Sequence, residues 1–302
     1  MHSFLTVLAH ELPGVRILEN EPLSRHTSFR IGGPARALLC PKTVADIPSI
    51  LRIAAECGVK LYIMGNGTNL LVSDAGINAF VLKTVPACAN ISIDNGLLTA
   101  ESGCTLARAA VEAQKAALSG FEFAHGIPGS VGGAVAMNAG AYGGEISQVL
   151  VQTTYCSGDG TVHVLDAANH DFGYRHSFFT DHPDCIVLSS CFRLHEGARA
   201  EIRKRMDDLA LKRSGSQPLD KPSAGSVFKR PVGHYAGRLI EDCGLKGFTI
   251  GGAQVSPKHA GFIINNGGAT CDDVRCLIEH IQHTVMDRFR IQLECEVRYW
   301  GE

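Results

Sequence analysis

The sequence predicts an α+β protein of two domains. Segments with the alternation of strands and segments with the apolar spacing of helices are interleaved along the chain, and the composition changes near residue 200. A chain of 302 residues is long enough for roughly two domains, each with its own core. We therefore place a first domain at 1–200, made of two α/β subdomains split near 65–70, and a second domain at 201–302.

The elements of the first domain follow one another closely. The run ARALLC at 35–40 predicts a strand, the apolar spacing that begins at Val44 predicts a helix ended by Gly58, and VKLYIM predicts a second strand. The Asn95-Gly96 pair between alternating runs predicts a hairpin, and 105–118 predicts a helix. A second hairpin at 149–165 and a strand at 185–194 complete the domain.

The second domain begins with a charged helix predicted at 198–213, which would connect the two domains. A loop rich in Ser, Pro and Gly follows at 214–226. Beyond it the pattern predicts a short helix near 235–243, a longer one at 271–289 and a last strand at 291–300. The prediction is thus a smaller, mixed domain.

Composition excludes several function classes. The net charge of −2, with both signs spread along the chain, indicates neither a nucleic-acid partner nor an anionic membrane. Eleven cysteines lie scattered without a C-x-x-C pair or the spacing of metal ligands, so we expect free thiols in a reducing cytoplasm and no metal. The first residues, MHSFLTVLAHELPG, lack a basic start and a cleavage site, and they predict a short helix rather than a secretory signal.

One stretch of 22 residues, 123–144, contains no Asp, Glu, Lys or Arg. It could be a membrane span, a packed core segment, or backbone that lies against a ligand. Seven glycines and Pro128 disfavour a spanning helix, whereas glycine lets successive backbone N–H groups converge on an anion such as a diphosphate. GNGTN at 65–69 offers a second such loop, although neither loop has the G-x-G-x-x-G or the P-loop pattern.

Seven motifs, in this order along nearly the whole chain, resemble those of the UDP-N-acetylenolpyruvoylglucosamine reductase family. They are HTSFRIGGPA at 26–35, GNGTNLLV at 65–72, GIPGSVGGAVAMNAGAYG at 126–143, YRHSFF at 174–179, AGSVFKRP at 224–231, GLKGFTIGGAQVSPKHAGFIIN at 244–265 and LECEVR at 293–298.

The resemblance implies an FAD-binding domain of the vanillyl-alcohol-oxidase (PCMH) type and a smaller C-terminal α+β domain that binds the substrate. It implies an NADPH-dependent reduction of UDP-N-acetylglucosamine enolpyruvate to UDP-N-acetylmuramate in peptidoglycan precursor synthesis, by a member of the shorter type that lacks an extra substrate loop. Separately, we expect a monomer. The residues that it assigns to FAD are Gly65, Asn66, Gly67, Thr68, Asn69, Leu70, Gly126, Ile127, Pro128, Gly129, Ser130, Gly132, Gly133, Asn138, Ala139 and Gly140.

The resemblance also assigns three catalytic residues. A hydride from the flavin N5 would add to C3 of the enol ether, and the charge that develops at C2 and the carboxylate must be stabilised before C2 takes a proton. Arg175 would bind the carboxylate, Ser226 would donate the proton, and Glu296 would position the acid or the developing enol. Strand alternation puts Glu294 and Glu296 on the same face, so only the E-V-R context selects Glu296.

Four further residues match substrate-contacting positions of the family: Gln217, Lys229, Arg230 and His259. Lys229 could contact a substrate phosphate or the nicotinamide cofactor, and His259 could equally be a structural histidine. Arg230 stands where the family usually has Asn, so its contact with substrate is in doubt. Two other classes stay open: a different oxidoreductase on the same FAD-binding fold, and a flavin or nucleotide-sugar binding module without catalysis.

Overall fold

A computed structural model describes residues 2–301, and the chain in it forms two compact units. The first unit contains the residues up to Glu19, Ala37–Asn66 and Ala79–Leu211, and the second contains Asn20–Arg36, Gly67–Asn78 and the chain from Lys212 onward. The chain therefore enters the second unit three times, whereas the sequence predicts one cut near residue 200. The assignment of 1–200 to FAD and 201–302 to substrate stays a prediction.

The described helices include six that lie where the sequence predicts a helix and two short ones, at 131–136 and 178–181, that it does not predict. They are α1 (His2–Glu11), α2 (Asp46–Glu56), α3 (Leu106–Lys115), α4 (Val131–Ala136), α5 (Phe178–Asp181), α6 (Arg199–Ser216), α7 (Ala236–Asp242) and α8 (Cys271–Phe289). None of the helices in the described part of the chain is long and apolar enough to cross a bilayer.

The strands are mostly short. They are β1 (Arg16–Pro22), β2 (Pro34–Cys40), β3 (Leu61–Met64), β4 (Leu70–Val72), β5 (Ile77–Lys83), β6 (Ile91–Asp94), β7 (Leu97–Glu101), β8 (Leu118–Ser119), β9 (Gly140–Ala141), β10 (Gly144–Glu145), β11 (Leu150–Cys156), β12 (Val162–Asp166), β13 (Ile186–Arg193), β14 (His195–Glu196), β15 (Ser223–Ser226), β16 (Thr249–Ile250), β17 (Ala253–Val255), β18 (Phe262–Asn265) and β19 (Arg298–Trp300).

The first unit is organised around a five-stranded antiparallel sheet with the order β12-β11-β13-β7-β6. Its β6–β7 hairpin confirms the turn that the sequence predicts, because Asn95 and Gly96 both have positive φ, 47° and 76°. Helices α3 and α4 contribute to the core beneath this sheet, together with Leu98, Phe121 and Phe192, which are fully buried. The uncharged stretch therefore runs beside a packed core.

A four-stranded sheet has the order β1-β2-β5-β3, with β3 and β5 parallel. The sequence predicts β2, α2 and β3 as one β-α-β unit, and all three elements are confirmed. However, β5 lies between β2 and β3. Periodicity marks an element but does not say which strand is its neighbour, so this insertion follows only from the tertiary structure.

The second unit contains the antiparallel sheet β15-β18-β17-β16 with α7 and α8. Its core includes Val227, Ile240 and Ile281, which are fully buried. Helix α8 begins with a capping box in which Thr270 and Asp273 satisfy each other's backbone N–H groups. This unit also holds the parallel pair β4–β19.

The last strand is shorter than the prediction of 291–300, because β19 covers only Arg298–Trp300. Before it, the backbone N–H groups of Glu296 and Val297 both donate to the oxygen of Val227, at 2.7 and 3.4 Å. Two consecutive N–H donors on one acceptor interrupt the regular hydrogen-bond ladder of a strand. The predicted alternation of buried and exposed side chains is therefore also broken, and Cys295 is exposed.

Candidate active site

Within the first unit, the first two residues of GNGTN, Gly65 and Asn66, lie against the second glycine-rich loop. The side-chain amide of Asn66 donates to the backbone oxygen of Pro128 at 2.8 Å. A Cβ added to Gly65 would lie 2.3 Å from Oγ of Ser130, so this approach requires glycine. Gly65 and Asn66 therefore lie beside the turn that contains Pro128 and Ser130, a proximity that the sequence does not reveal.

Part of the uncharged stretch is a short helix, α4, for which Ser130 is the N-cap and accepts a hydrogen bond from the N–H of Gly133 at 3.3 Å. The N–H groups of Val131 and Gly132 donate to backbone oxygens of Cys104 and Ser102. By contrast, the N–H groups of Gly129 and Ser130 donate to no acceptor among residues 2–301. The turn before α4 thus keeps two N–H donors that could meet an anion.

Asn138, which the resemblance assigns to FAD, is buried and its side chain already has protein partners. Its Nδ2 donates to Oε1 of Glu145 at 3.3 Å and to the backbone oxygen of Gly173 at 3.1 Å. Its Oδ1 accepts from the N–H of Ser147 at 3.0 Å. The Asn138 amide therefore positions the surrounding backbone, and a contact with FAD by its main chain stays a prediction.

Arg175 lies at the corner of a tight turn in the first unit. Gly173 and His176 exchange backbone hydrogen bonds of 3.1 and 3.3 Å across this turn, and Arg175 has a φ of 57°. Its guanidinium carbon is 5.2 Å from the ring centroid of Tyr174, and the side chain is half-buried. The left-handed region is uncommon for a residue other than glycine, and here it sets the direction in which the Arg175 side chain leaves the turn.

Ser226 is the last residue of β15 in the second unit, and a β-bulge sets its direction. Ser223 pairs with Ile264 and Ser226 with Phe262, so three steps along β15 oppose two along β18. Gly225, within the bulge, has a φ of 78°. A bulge re-aims the side chain that follows it, and it separates Ser226 from the regular alternation of the strand.

Glu296 lies next to Ser226 along the backbone pairing. Its N–H donates to the oxygen of Val227 at 2.7 Å, and its own oxygen accepts from Nδ2 of Asn69 at 3.0 Å. Glu294 differs from it: the Glu294 carboxylate is 70% exposed and pairs with Nζ of Lys229 at 3.1 Å. The structure thus distinguishes two glutamates that the sequence pattern alone treats alike.

The other residues predicted to contact the substrate lie in the second unit and have protein contacts of their own. Gln217 accepts from Nε of Arg213 at 2.9 Å. The guanidinium of Arg230 stacks 3.9 Å from the ring centroid of Tyr235. Nδ1 of His259 accepts from the N–H of Gly261 at 3.1 Å, and burial lowers the pKa of His259, so it is a neutral acceptor near pH 7.

A titratable cluster lies beside the Arg175 turn. Asp171, His176 and Asp181 each offer one ligand atom, and these atoms lie within 4.8 Å of one another. Nδ1 of His176 is 3.0 Å from the backbone oxygen of Asp171, and its Nε2 is 3.1 Å from Oδ2 of Asp181. Since both ring nitrogens face protein acceptors, we describe the cluster as a hydrogen-bonded network and assign no metal to it.

Comparison with known proteins decides the family. A model of the C-terminal domain of UDP-N-acetylenolpyruvoylglucosamine reductase matches residues 217–300, and an FAD binding domain model matches 35–166. A UDP-N-acetylenolpyruvoylglucosamine reductase of Pediococcus pentosaceus is 48% identical over 98% of both chains. The chain belongs to the UDP-N-acetylenolpyruvoylglucosamine reductase family.

A solved reductase of this family agrees with that membership. The enzyme of Thermus caldophilus superposes with a TM-score of 0.79 at 35% identity, over 95% of this chain and 99% of that one. The glucose dehydrogenase Phl p 4.0202 matches 65% of this chain and 44% of its own, with a TM-score of 0.51 at 15% identity, which shows a shared fold only. The predicted FAD-binding fold and the predicted reductase family are therefore confirmed.

Family membership makes the chain an FAD-containing oxidoreductase with a small-molecule substrate. The geometry of the first unit fits a flavin diphosphate, because Gly65 brings backbone without a side chain against Ser130 and the turn before α4 keeps unused N–H donors. The reductase thus presents neutral backbone, rather than lysine, where the resemblance places the diphosphate.

Sequence reasoning on the family motifs left some residues of the reductase without a role. Oγ of Ser28, in HTSFR, donates to the backbone oxygen of Ser223 at 2.6 Å, and the N–H of Ser28 donates to the oxygen of Gly67 at 3.0 Å. A Cβ on Gly67 would lie 2.1 Å from the oxygen of His26, so this loop also requires glycine. In the sequence, only the motif HTSFR pointed to Ser28, because the contacts of Ser28 join segments that are distant along the chain.

Proposed function

We propose that this reductase converts UDP-N-acetylglucosamine enolpyruvate to UDP-N-acetylmuramate with NADPH, and that Arg175, Ser226 and Glu296 are its catalytic residues. The observation that carries the proposal for the second unit is the 2.7 Å hydrogen bond from the N–H of Glu296 to the oxygen of Val227. It joins Glu296 to Val227, the residue that follows Ser226. One backbone hydrogen bond therefore links the two segments that carry these side chains.

The chemistry needs a hydride at C3 and a proton at C2 of the enolpyruvyl group. When FAD is bound, it would supply the hydride, which NADPH would provide to it. The proton comes from Oγ of Ser226, and solvent returns a proton to the resulting alkoxide. The overall balance is therefore one NADPH and one proton consumed for each lactyl ether formed.

Arg175 would hold the substrate carboxylate. A guanidinium stays charged at all relevant pH values and can make two parallel hydrogen bonds to a carboxylate, so it also stabilises the negative charge that spreads from C2. The left-handed backbone at Arg175 and its half-buried side chain support this role, because such a conformation fixes the direction in which the side chain leaves the turn.

Glu296 would position the proton donor or the developing enol. Its backbone is held by Val227 and by Asn69, whereas Glu294 is exposed and paired with Lys229. A carboxylate on a fixed backbone, close in the fold to a weak acid such as serine, would supply the polar environment that proton transfer needs. These contacts support Glu296, rather than Glu294, as the catalytic glutamate.

The test is a pair of anaerobic half-reactions followed by flavin absorbance. In Ser226→Ala, we expect flavin reduction by NADPH at the wild-type rate and reoxidation by the enolpyruvyl substrate slowed about 10²- to 10⁴-fold. Ser223→Ala, in the same strand, is the matched control and should leave both rates unchanged. Equal losses in both half-reactions of Ser226→Ala would contradict a proton-donor role.

Two finer proposals follow from the predictions made on the sequence. We propose that the reductase acts in the cytoplasm, where free thiols persist, and the structure has all eleven cysteines as free thiols. We also propose a monomer, which light scattering on the purified protein would test. Comparing NADPH with NADH as reductant in the first half-reaction tests the choice of nicotinamide cofactor.

A further inference from the structure

The turn that carries Arg175 is strained. Asp171 and Arg175 both have left-handed backbones, with φ of 48° and 57°. An L residue in this region costs about 1–2 kcal/mol, and such a conformation persists only where surrounding contacts enforce it. The contacts that hold this turn therefore decide where the Arg175 side chain points.

Neutral hydrogen bonds hold both sides of the turn to the last residue of α4 and to Asn138 beyond it. Nδ2 of Asn138 donates to the oxygen of Gly173 at 3.1 Å. Oγ of Ser177 donates to the oxygen of Ala136 at 2.9 Å, and Oγ1 of Thr180 donates to the same oxygen at 3.2 Å. None of these groups titrates near neutral pH, so this part of the anchorage does not depend on pH.

His176 supplies a second anchorage that does titrate. Its imidazole lies between the backbone oxygen of Asp171, 3.0 Å from Nδ1, and the carboxylate of Asp181, 3.1 Å from Nε2. Both partners are acceptors, and a neutral imidazole has only one N–H. Only the imidazolium can donate to the two of them at once, so only in that state does the ring bond both to Asp171 in the turn and to Asp181 at the end of α5.

The charges around the imidazole favour the protonated form of His176. The carboxylates that face it are Asp171, from the turn itself, and Asp181, from α5, while Arg175 is the cation of the same turn. The hydrogen bond to the Asp171 oxygen raises the pKa of His176; burial opposes this, and the Asp181 carboxylate adds to the rise. His176 therefore stays protonated to pH values above those at which a free histidine loses its proton.

We propose that His176 is a positioning residue which, as the imidazolium, ties the Arg175 turn to Asp181 and so strengthens the binding of the substrate carboxylate. The proposal rests on the proposed function, because it takes Arg175 as the group that receives this carboxylate. Since the folded state raises the pKa, the tie is complete at pH values below the range of a free histidine and is lost as the pH rises through the pKa of His176.

Kinetics give the first arm of the test. The wild-type KM for the enolpyruvyl substrate should rise about two- to five-fold as His176 loses its proton, the size expected for a partly exposed ion pair, while kcat for flavin reduction by NADPH stays level. In His176→Asn and in Asp181→Asn the KM should be high and independent of pH over this interval. His182→Asn, which removes an exposed histidine one residue beyond Asp181, is the matched control and should keep the wild-type profile.

NMR gives the second arm, which does not depend on turnover. In the holoenzyme labelled at histidine, the resonance missing from His176→Asn identifies the residue, and its pKa should fall in Asp181→Asn but not in His182→Asn. An unchanged His176 pKa in Asp181→Asn, or a wild-type KM profile in both variants, would overturn the proposal. If Arg175→Lys left substrate binding intact, the proposed function would fail while the titration of His176 still stood.

Discussion

The side-chain amide of Asn69 donates a hydrogen bond of 3.0 Å to the backbone oxygen of Glu296. The oxygen of Asn69 in turn accepts from the N–H of Arg298 at 3.0 Å, where β4 and β19 begin to pair. A residue of the first glycine-rich loop therefore holds the backbone of the proposed catalytic glutamate. This connection couples the loop assigned to FAD with the residues assigned to the substrate.

Asn69→Ala should slow the substrate half-reaction more than it weakens FAD binding. Loss of one hydrogen bond that orients Glu296 corresponds to about 0.5–1.5 kcal/mol, or roughly a two- to ten-fold lower rate of flavin reoxidation. Stopped-flow absorbance measures this rate. Asn66→Ala removes the bond to Pro128 instead and should chiefly lower FAD retention on gel filtration, so the reverse pattern would count against this assignment.

Substitution of the two glutamates near the end of the chain should have clearly different effects on activity. Glu296→Gln keeps the size of the side chain but removes its charge, and we expect reoxidation by substrate to slow at least about 10²-fold. Glu294→Gln removes an exposed carboxylate paired with Lys229, so its effect should stay within about two-fold. Steady-state NADPH consumption at saturating substrate distinguishes them, and a larger loss in Glu294→Gln would reverse the assignment.

Gly225→Ala tests whether the bulge positions Ser226. Alanine at a φ of 78° costs about 1–2 kcal/mol, and relief of that strain would turn the Ser226 side chain. Gly247 has the same φ of 78°, and like Gly225 it has open space where a Cβ would go, so Gly247→Ala is a matched control. Both variants should lose similar thermal stability, but only Gly225→Ala should slow substrate reduction.

Gly65→Ala should release FAD. The new Cβ would lie 2.3 Å from Oγ of Ser130, and the buried Ser130 cannot move away without losing its cap on α4. The flavin content of the purified protein and the Kd for added FAD measure the effect, for which we expect at least about a ten-fold weaker affinity. Gly215→Ala places a methyl group in open space on α6 and should leave flavin content unchanged.

Acid stability should depend on Glu122. Burial alone would raise the pKa of Glu122, but Arg205, backbone N–H groups and Ser119 together lower it. The contribution of this network is therefore present above the ordinary glutamate pKa and is lost as the pH falls through the lowered one. Arg205→Met should cost about 1–2 kcal/mol of unfolding free energy at pH 7 and less near pH 3 in urea titrations.

The matched control for that experiment is Arg203→Met. Arg203 pairs with Asp207 on the same helix, but the two side chains are 61% and 49% exposed. An exposed i,i+4 pair contributes only a few tenths of a kcal/mol, so this variant should follow the wild-type stability curve at both pH values. A loss equal to that of Arg205→Met would show that helix composition, not the buried carboxylate, sets the effect.

Much of the architecture could be predicted from local pattern. The Asn95-Gly96 turn and the helix at 271–289 were predicted because a two-residue turn and a long apolar stripe are encoded by adjacent residues. The strand at 291–300 was predicted too long, because its alternation ends where Glu296 and Val297 share one acceptor. No neighbour in sequence reveals that Val227 supplies this acceptor.

The sequence by itself determined the family, the order of the motifs and the residue types available for chemistry: a permanent cation at Arg175, a hydroxyl at Ser226 and carboxylates at 294 and 296. Only the tertiary structure decided which of these residues are fixed by hydrogen bonds and which residues supply those bonds. Asn69 reaches Glu296, and His176 reaches Asp181 across a strained turn. Such contacts depend on the directions in which separate segments of the chain approach each other, and directions are set by packing and hydrogen bonding across the fold, not by the residues on either side.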